Sequence, residues 1–180
     1  MKKEIFKEIV VPEGVHAKVD GNVLKISGKD GEITRKMNLN KLEFKVSEGK
    51  IVIGRKKATK NEKKIINTTA AHIKNMMMGV QKKFEYQLKV CFSHFPFTVE
   101  IKGNEILIKN FLGEKVPRKV DIKKDVEIKI DKQNITVKSA DKELAGQAAA
   151  NLEEATKVKN RDRRVFQDGI YITSKAGREI

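Results

Sequence analysis

Cys91 and His94, in the run CFSH, come closest in this chain to a nucleophile and its base. A thiol activated by an imidazole needs a third group to orient the ring, and none stands nearby in the sequence. Three residues apart at a strand end or loop, the two read as a buried thiol and a surface imidazole. His16 and His72 are scattered elsewhere. There is no Walker-type glycine loop and no GxGxxG, HExxH or GxSxG. Met76, Met77 and Met78 could form a soft-metal or adaptable surface, but they end an apolar helical stripe and read as core. No catalysis, metal, cofactor or small-molecule substrate is expected.

What remains is cationic. Arg55, Lys56, Lys57, Lys60, Lys63 and Lys64, relieved only by Glu62, lead into a helix start, where free amides and the helix dipole favour an anion. A phosphate-contact patch and an ordinary solvated lysine face fit this cluster equally. The second cluster is KVKNRDRRVFQDGIYI, residues 157–172, where Lys157, Lys159, Arg161, Arg163 and Arg164 are followed by Phe166 and Tyr171. Spaced cations beside aromatic faces suit folded RNA, which offers both phosphates and splayed bases. The same stretch also reads as a last strand or hairpin turned at Asp168-Gly169, with Val165, Phe166, Ile170 and Ile172 packing inward.

The chain has 180 residues, with 39 Lys plus Arg against 24 Asp plus Glu, a formal charge of +15. That excess points to a polyanion, nucleic acid or an anionic membrane surface, although lysine enrichment also accompanies heat adaptation. Residues 1–90 hold 21 basic and 10 acidic residues, 91–156 hold 11 of each, and 157–180 hold 7 and 3. Four of the seven arginines lie in the last twenty residues, and arginine, unlike lysine, forks onto phosphate and stacks on bases. No apolar run approaches the roughly 18 residues that span a bilayer, and the N-terminus is too charged for a signal peptide. A single cysteine fits a reducing compartment, so a soluble, intracellular protein is expected.

The elements that position these residues repeat. VDGNVLKISGKDGE (19–32) returns 82 residues later as IKGNEILIKNFLGE (101–114), and Ile65, Ala70, Ala71 and Ile73 return at an offset of 79 as Leu144, Ala149, Ala150 and Leu152. Gly-Asn between alternating runs predicts a hairpin in each copy. Strands are expected at about 16–20, 23–27, 32–38, 43–46 and 50–54, and again at about 97–102, 105–109, 115–121, 126–130 and 134–138. A helix closes each copy. The first is capped by Thr59 and Glu62, striped by Ile66, Ala70, Ile73 and Met77, and stopped at Gly79. The second spans about 141–156, striped by Leu144, Ala148, Leu152 and Ala155. The fold class is α+β: two tandem duplicated domains, each an antiparallel β-sheet packed against one α-helix, over 1–81 and 82–180. A further strand or linker runs through 84–92.

The stretch ATKVKNRDRRVFQDGIYI (155–172), with HFPF (94–97) and NFLGEK (110–115) followed by Arg118, resembles the archaeal and eukaryotic form of the large-subunit ribosomal protein L-six family. The resemblance runs over essentially the whole chain. It implies two related α+β domains and a structural protein that binds large-subunit rRNA near the sarcin-ricin loop and the stalk base, beside neighbouring large-subunit proteins. It implies a cytoplasmic, ribosomal location and no membrane partner. It nominates Lys157, Lys159, Asn160, Arg161, Arg163, Arg164 and Tyr171 as rRNA-binding, with Lys175 just beyond and the NFLGEK loop as a weaker nomination. Arg55, Lys56, Lys57 and Lys60 form a possible secondary patch. The bacterial Tyr-Lys-Gly-Lys-Gly tail element is missing, which favours an archaeal source. A free, chromatin-type nucleic-acid-binding module is the alternative reading of the same charge, and a protein-binding scaffold is a third.

Overall fold

The computed structural model describes residues 3–37, 42–47 and 49–180. The chain divides into two compact units, Met1–Lys83 and Phe84–Ile180. The first contains strands β1 (Lys3–Val10), β2 (His16–Asp20), β3 (Val23–Gly28), β4 (Gly31–Lys36), β5 (Glu43–Ser47) and β6 (Lys50–Ala58), then helix α1 (Lys60–Gln81). The second repeats that order with β7 (Phe84–Cys91), β8 (Thr98–Lys102), β9 (Glu105–Lys109), β10 (Arg118–Asp121), β11 (Glu127–Asp131), β12 (Asn134–Ser139) and α2 (Lys142–Ala155). It then adds β13 (Gly169–Lys175) and β14 (Arg178–Glu179).

Each copy carries two antiparallel sheets where the sequence suggested one. In the first they are β2-β3-β4 and β1-β6-β5; in the second they are β8-β9-β10 and β11-β12-β7-β13-β14. The helix of each copy contacts both of its sheets. Alternating apolar residues explain the cores: Leu24, Ile26, Ile51 and Ile53 in the first unit, and Ile106, Ile108, Ile135 and Val137 in the second, are almost wholly buried.

β1 was not anticipated. In its sequence, KEIFKEIV, Ile9 is the one buried position from Glu4 to Val10, so the alternation that announces a strand is weak. The duplicate makes sense of it, because β1 pairs with β6 as β7 pairs with β12. Gly54 permits the pairing: a Cβ there would lie 2.4 Å from the Ile5 carbonyl oxygen. At the other end of β4, Asn38 of the expected strand 32–38 lies outside the described residues. The expected strand 115–121 is shortened to β10, because residues 110–113 form a tight turn with Asn110, Leu112 and Gly113 at positive φ.

α1 has the expected capping box. The Thr59 amide donates to Glu62 Oε2 at 2.7 Å, and the Glu62 amide to Thr59 Oγ1 at 3.4 Å. It does not stop at Gly79, which is buried inside the helix. Val80 is fully buried, and its carbonyl accepts from the Asp30 amide at 2.8 Å, so tertiary contact carries the helix to Gln81. Ile66, Ala70, Ile73, Met76 and Met77 face the core, while Met78 is 56% exposed, unlike the core role expected for all three methionines. In α2 the buried stripe is Ala145, Ala148, Ala149 and Leu152, turned from the expected one, with Leu144 and Ala155 only partly buried. Small residues bring this helix close to the sheet; a Cβ on Gly146 would lie 3.2 Å from the Tyr86 hydroxyl.

Candidate nucleic-acid interface

Between α2 and β13 lies an irregular loop, 157–168, that carries most of the nominated residues. Two buried polar side chains close its base. Thr156, at the end of α2, is 2% exposed; its Oγ1 accepts from the Ile170 amide at 2.8 Å and donates to the last-turn carbonyls of Leu152 and Glu153. Asp168, 1% exposed, accepts from the Ser93 amide at 2.7 Å, the His94 amide at 3.0 Å and His94 Nδ1 at 2.7 Å. Burial alone would raise the Asp168 pKa, but the His94 and Ser93 donors outweigh it and hold the carboxyl at about 2, against 3.8 ordinarily. Asp168-Gly169 is therefore no hairpin turn. It is an anchor followed directly by β13, and the hairpin comes later, at Ala176-Gly177, both at positive φ.

His94 is more than a surface imidazole. Ser93 Oγ, His94 and Asp168 together look like a hydrolytic triad, but Ser93 Oγ (3.1 Å) and Asp168 Oδ2 (2.7 Å) approach the same ring nitrogen, Nδ1. A proton relay needs the acid and the hydroxyl on opposite nitrogens, so this arrangement cannot activate the serine. The ring instead stacks on Phe166, with centroids 4.5 Å apart and planes 17° apart, and the Arg161 guanidinium lies 4.7 Å over that same ring. Asp168, His94, Phe166 and Arg161 thus form a ladder from a buried carboxylate to an exposed cation. Cys91, half-buried on β7, takes no part in it.

Further along the loop, the Asp162 carboxylate accepts from the Arg164 amide at 2.9 Å, and its carbonyl accepts from the amides of Val165 and Phe166. This single turn displays Arg163 and Arg164 outward; the Arg164 side chain is 93% exposed, with its Nε 3.7 Å from Asp162. Val158 is buried and Phe166 packs partly on the core, while Val165, expected to point inward, is exposed. Lys159 and Asn160 are exposed on the same loop, Asn160 at a φ of 58°. Lys157, Arg163 and Tyr171 line one cleft. Lys175 is exposed at the far end of β13, paired in register with Arg178 of β14.

The NFLGEK loop is occupied structurally. Arg118 grips Glu114 through Nε and Nη2 (2.8 and 2.5 Å), donates Nη1 to the Ala155 carbonyl at the end of α2 (2.6 Å), and lies 4.4 Å over the fully buried Phe111 ring. The Arg118 hydrogen bonds hold the Glu114 carboxyl below its usual value. Asn110 Nδ2 donates to the Pro96 carbonyl at 2.9 Å, tying NFLGEK to HFPF, and Phe97 meets Phe111 edge-on at 5.3 Å. Arg118→Ala is expected to destabilise the second unit by about 2 kcal/mol, since a charged hydrogen bond and a cation-π contact go together. Thermal melting checks it, and a melt unchanged from the parent would refute this role.

In the first unit, Lys56, Lys57 and Lys60 are exposed, but Arg55 is in salt-bridge contact with Glu62 of the capping box and is spent on helix start. Among the described residues, no group of three His, Cys, Asp or Glu could hold a metal ion, and no helix is long and apolar enough to cross a membrane.

The family model described as "Ribosomal protein L6" matches residues 11–83 and again 95–169, one match in each unit. The large ribosomal subunit protein uL6 of Nanoarchaeum equitans is 43% identical over 189 aligned residues, covering 100% of this chain and 98% of that protein. That of Archaeoglobus fulgidus is 43% identical over 179 residues, covering 96% of this chain and 91% of that protein.

Proposed function

The chain belongs to the ribosomal protein L6 family, and on that premise we propose that it is a structural, non-catalytic constituent of the large ribosomal subunit that grips large-subunit rRNA through loop 157–168. The observation that carries this reading is the stapled loop: Thr156 and Asp168 fix its base while Lys157, Lys159, Arg161, Arg163 and Arg164 remain exposed on it. A cationic surface held rigid before binding loses little ordering entropy when it meets phosphates. On this reading the contact lies near the sarcin-ricin loop and stalk base, among neighbouring large-subunit proteins in the cytoplasm, as the resemblance of residues 155–172 to the family implies. Asn160 and Tyr171 extend this contact, and Lys175, at the far end of β13, would add a separate one. Lys56, Lys57 and Lys60 add weaker, salt-screened contacts.

Sedimentation of the tagged protein through a sucrose gradient tests the reading. Co-migration with large subunits is expected, and a free or DNA-bound pool would favour the chromatin-type module instead. Replacing Lys56, Lys57 and Lys60 together by Ala should leave most of that co-migration intact through a high-salt wash. A loss equal to that from the tail arginines would reverse the ranking of the two patches.

A further inference from the structure

The loop also shapes a cleft whose chemistry differs from a phosphate seat. It has a volume of about 350 Å³ and lies where the end of α2 meets the start of β13, with Glu153, Glu154, Lys157, Arg163, Phe166 and Tyr171 among its walls. Tyr171 is 41% exposed. Its hydroxyl donates to the Gln167 carbonyl at 3.1 Å, and its backbone is registered against Lys89 of β7. One face of the ring rests on Gly169, where a Cβ would approach Cε2 and Cζ to 3.4 Å. Partial burial pushes the phenol above its ordinary 10.0, so at neutral pH it remains a donor. The ring is thus held at its tip, its backbone and one face. Phe166 cannot offer a second platform, because His94 and the Arg161 guanidinium each lie over its ring and two groups cannot share one face.

The charges decide what such a platform would hold. A phosphate in this cleft would meet Lys157 and Arg163 but also acidic walls, Glu153 and Glu154, of which Glu153 stands close enough to act electrostatically on Tyr171. An uncharged heteroaromatic ring suffers no such repulsion. Its exocyclic amino group can donate to a carboxylate, while its flanking phosphates reach the cations. We propose that this cleft takes a single unstacked, amino-bearing nucleobase of the RNA, seated on the open face of Tyr171. The proposal rests on the RNA-binding reading above and adds a base-reading site to a surface otherwise made of phosphate contacts.

The test uses the full chain, isolated large-subunit rRNA as probe, and a series of salt concentrations. Tyr171→Leu should weaken binding by about tenfold or more, the usual loss when a base-stacking ring is removed. The slope of log affinity against log salt should not change, because no phosphate contact is lost. Tyr171→Phe, which keeps the stacking face, should stay within about threefold of the parent on the same reasoning. Parental affinity in Tyr171→Leu overturns the cleft; if the arginine variants still lose binding, the RNA reading survives alone. An equal loss in both Tyr171 variants also overturns it, by assigning the effect to the hydroxyl's bond with Gln167. If neither the arginine nor the Tyr171 variants alter binding, the RNA reading falls and the cleft proposal with it. Melting curves of both Tyr171 variants are expected to match the parent, and a loss of affinity explained by unfolding alone would count against the proposal.

Discussion

Replacing Arg161, Arg163 and Arg164 together by Ala should strip the protein from the large subunit while leaving its fold intact. None of the three donates to a buried acceptor: Arg163 and Arg164 are displayed on the Asp162 turn, and Arg161 lies over Phe166 at the surface. Their removal therefore subtracts binding and little stability. Each lost phosphate contact lowers the slope of log affinity against log salt by about 1, so the triple variant should lose about 3. Affinity for large-subunit rRNA near physiological salt should fall roughly a hundredfold or more, since charge-assisted forks are about twice as strong as neutral hydrogen bonds. Retention of the variant through a high-salt wash as well as the parent would show that loop 157–168 is not the principal contact.

Asp168→Ala should strongly destabilise the second unit. The carboxylate is buried and serves two part-buried amides and an imidazole, so its loss leaves three donors without their acceptor, at about 1 kcal/mol each because water can reach them in part. A total near 3 kcal/mol corresponds to a drop of roughly 12–24 °C in melting temperature for a unit of this size. Acid should weaken the parent at the same place. The folded-state pKa is lowered, so the Asp168 contribution is fully present above the unfolded value of 3.8 and is lost as pH falls through about 2. Across that window roughly 2 kcal/mol should disappear, from the usual 1.4 kcal/mol per pKa unit. Asp168→Asn keeps an acceptor but no charge, so it should recover part of the stability and flatten the acid limb. Equal acid sensitivity in Asp168→Asn and the parent would mean that another carboxylate controls it. Because His94 and Phe166 link Asp168 to Arg161, Asp168→Ala should also lose RNA affinity non-additively with Arg161→Ala.

The duplicated plan was legible because its signals are local. Gly21-Asn22 and Gly103-Asn104 close hairpins within a few residues, and Thr59 caps the amide of Glu62 three residues on. The tail cations were legible for the same reason, as a run of like residue types. What could not be read is what joins distant positions. Asp168 meets Ser93 and His94 across 75 and 74 residues, and nothing around any of the three announces the others. Arg118 stands out in the sequence only as the cation that follows the weakly nominated NFLGEK loop. Its partners, Glu114, Phe111 and the carbonyl of Ala155, which use that charge up, are visible only in space. Gly79 misled in the opposite direction. Local propensity would end the helix there, yet the burial of Val80 against Gly28, where a Cβ would come within 2.9 Å, extends it.

Strand β13 pairs with β7, which stands about eighty residues earlier, and it is the strand that bears Tyr171. During synthesis β7, β12 and α2 can assemble first, leaving one edge of β7 with open amides and carbonyls until β13 emerges. The first copy has no counterpart, because β1 there forms only the outer strand of a three-stranded sheet. The order of manufacture therefore couples completeness to binding. A nascent chain halted before residue 169 would carry every cation of the loop but neither the strand that ends it nor the anchor's neighbour in the sheet. Only the finished chain would present the surface in working form, while a fragment would expose a sticky sheet edge of the kind that leads to aggregation.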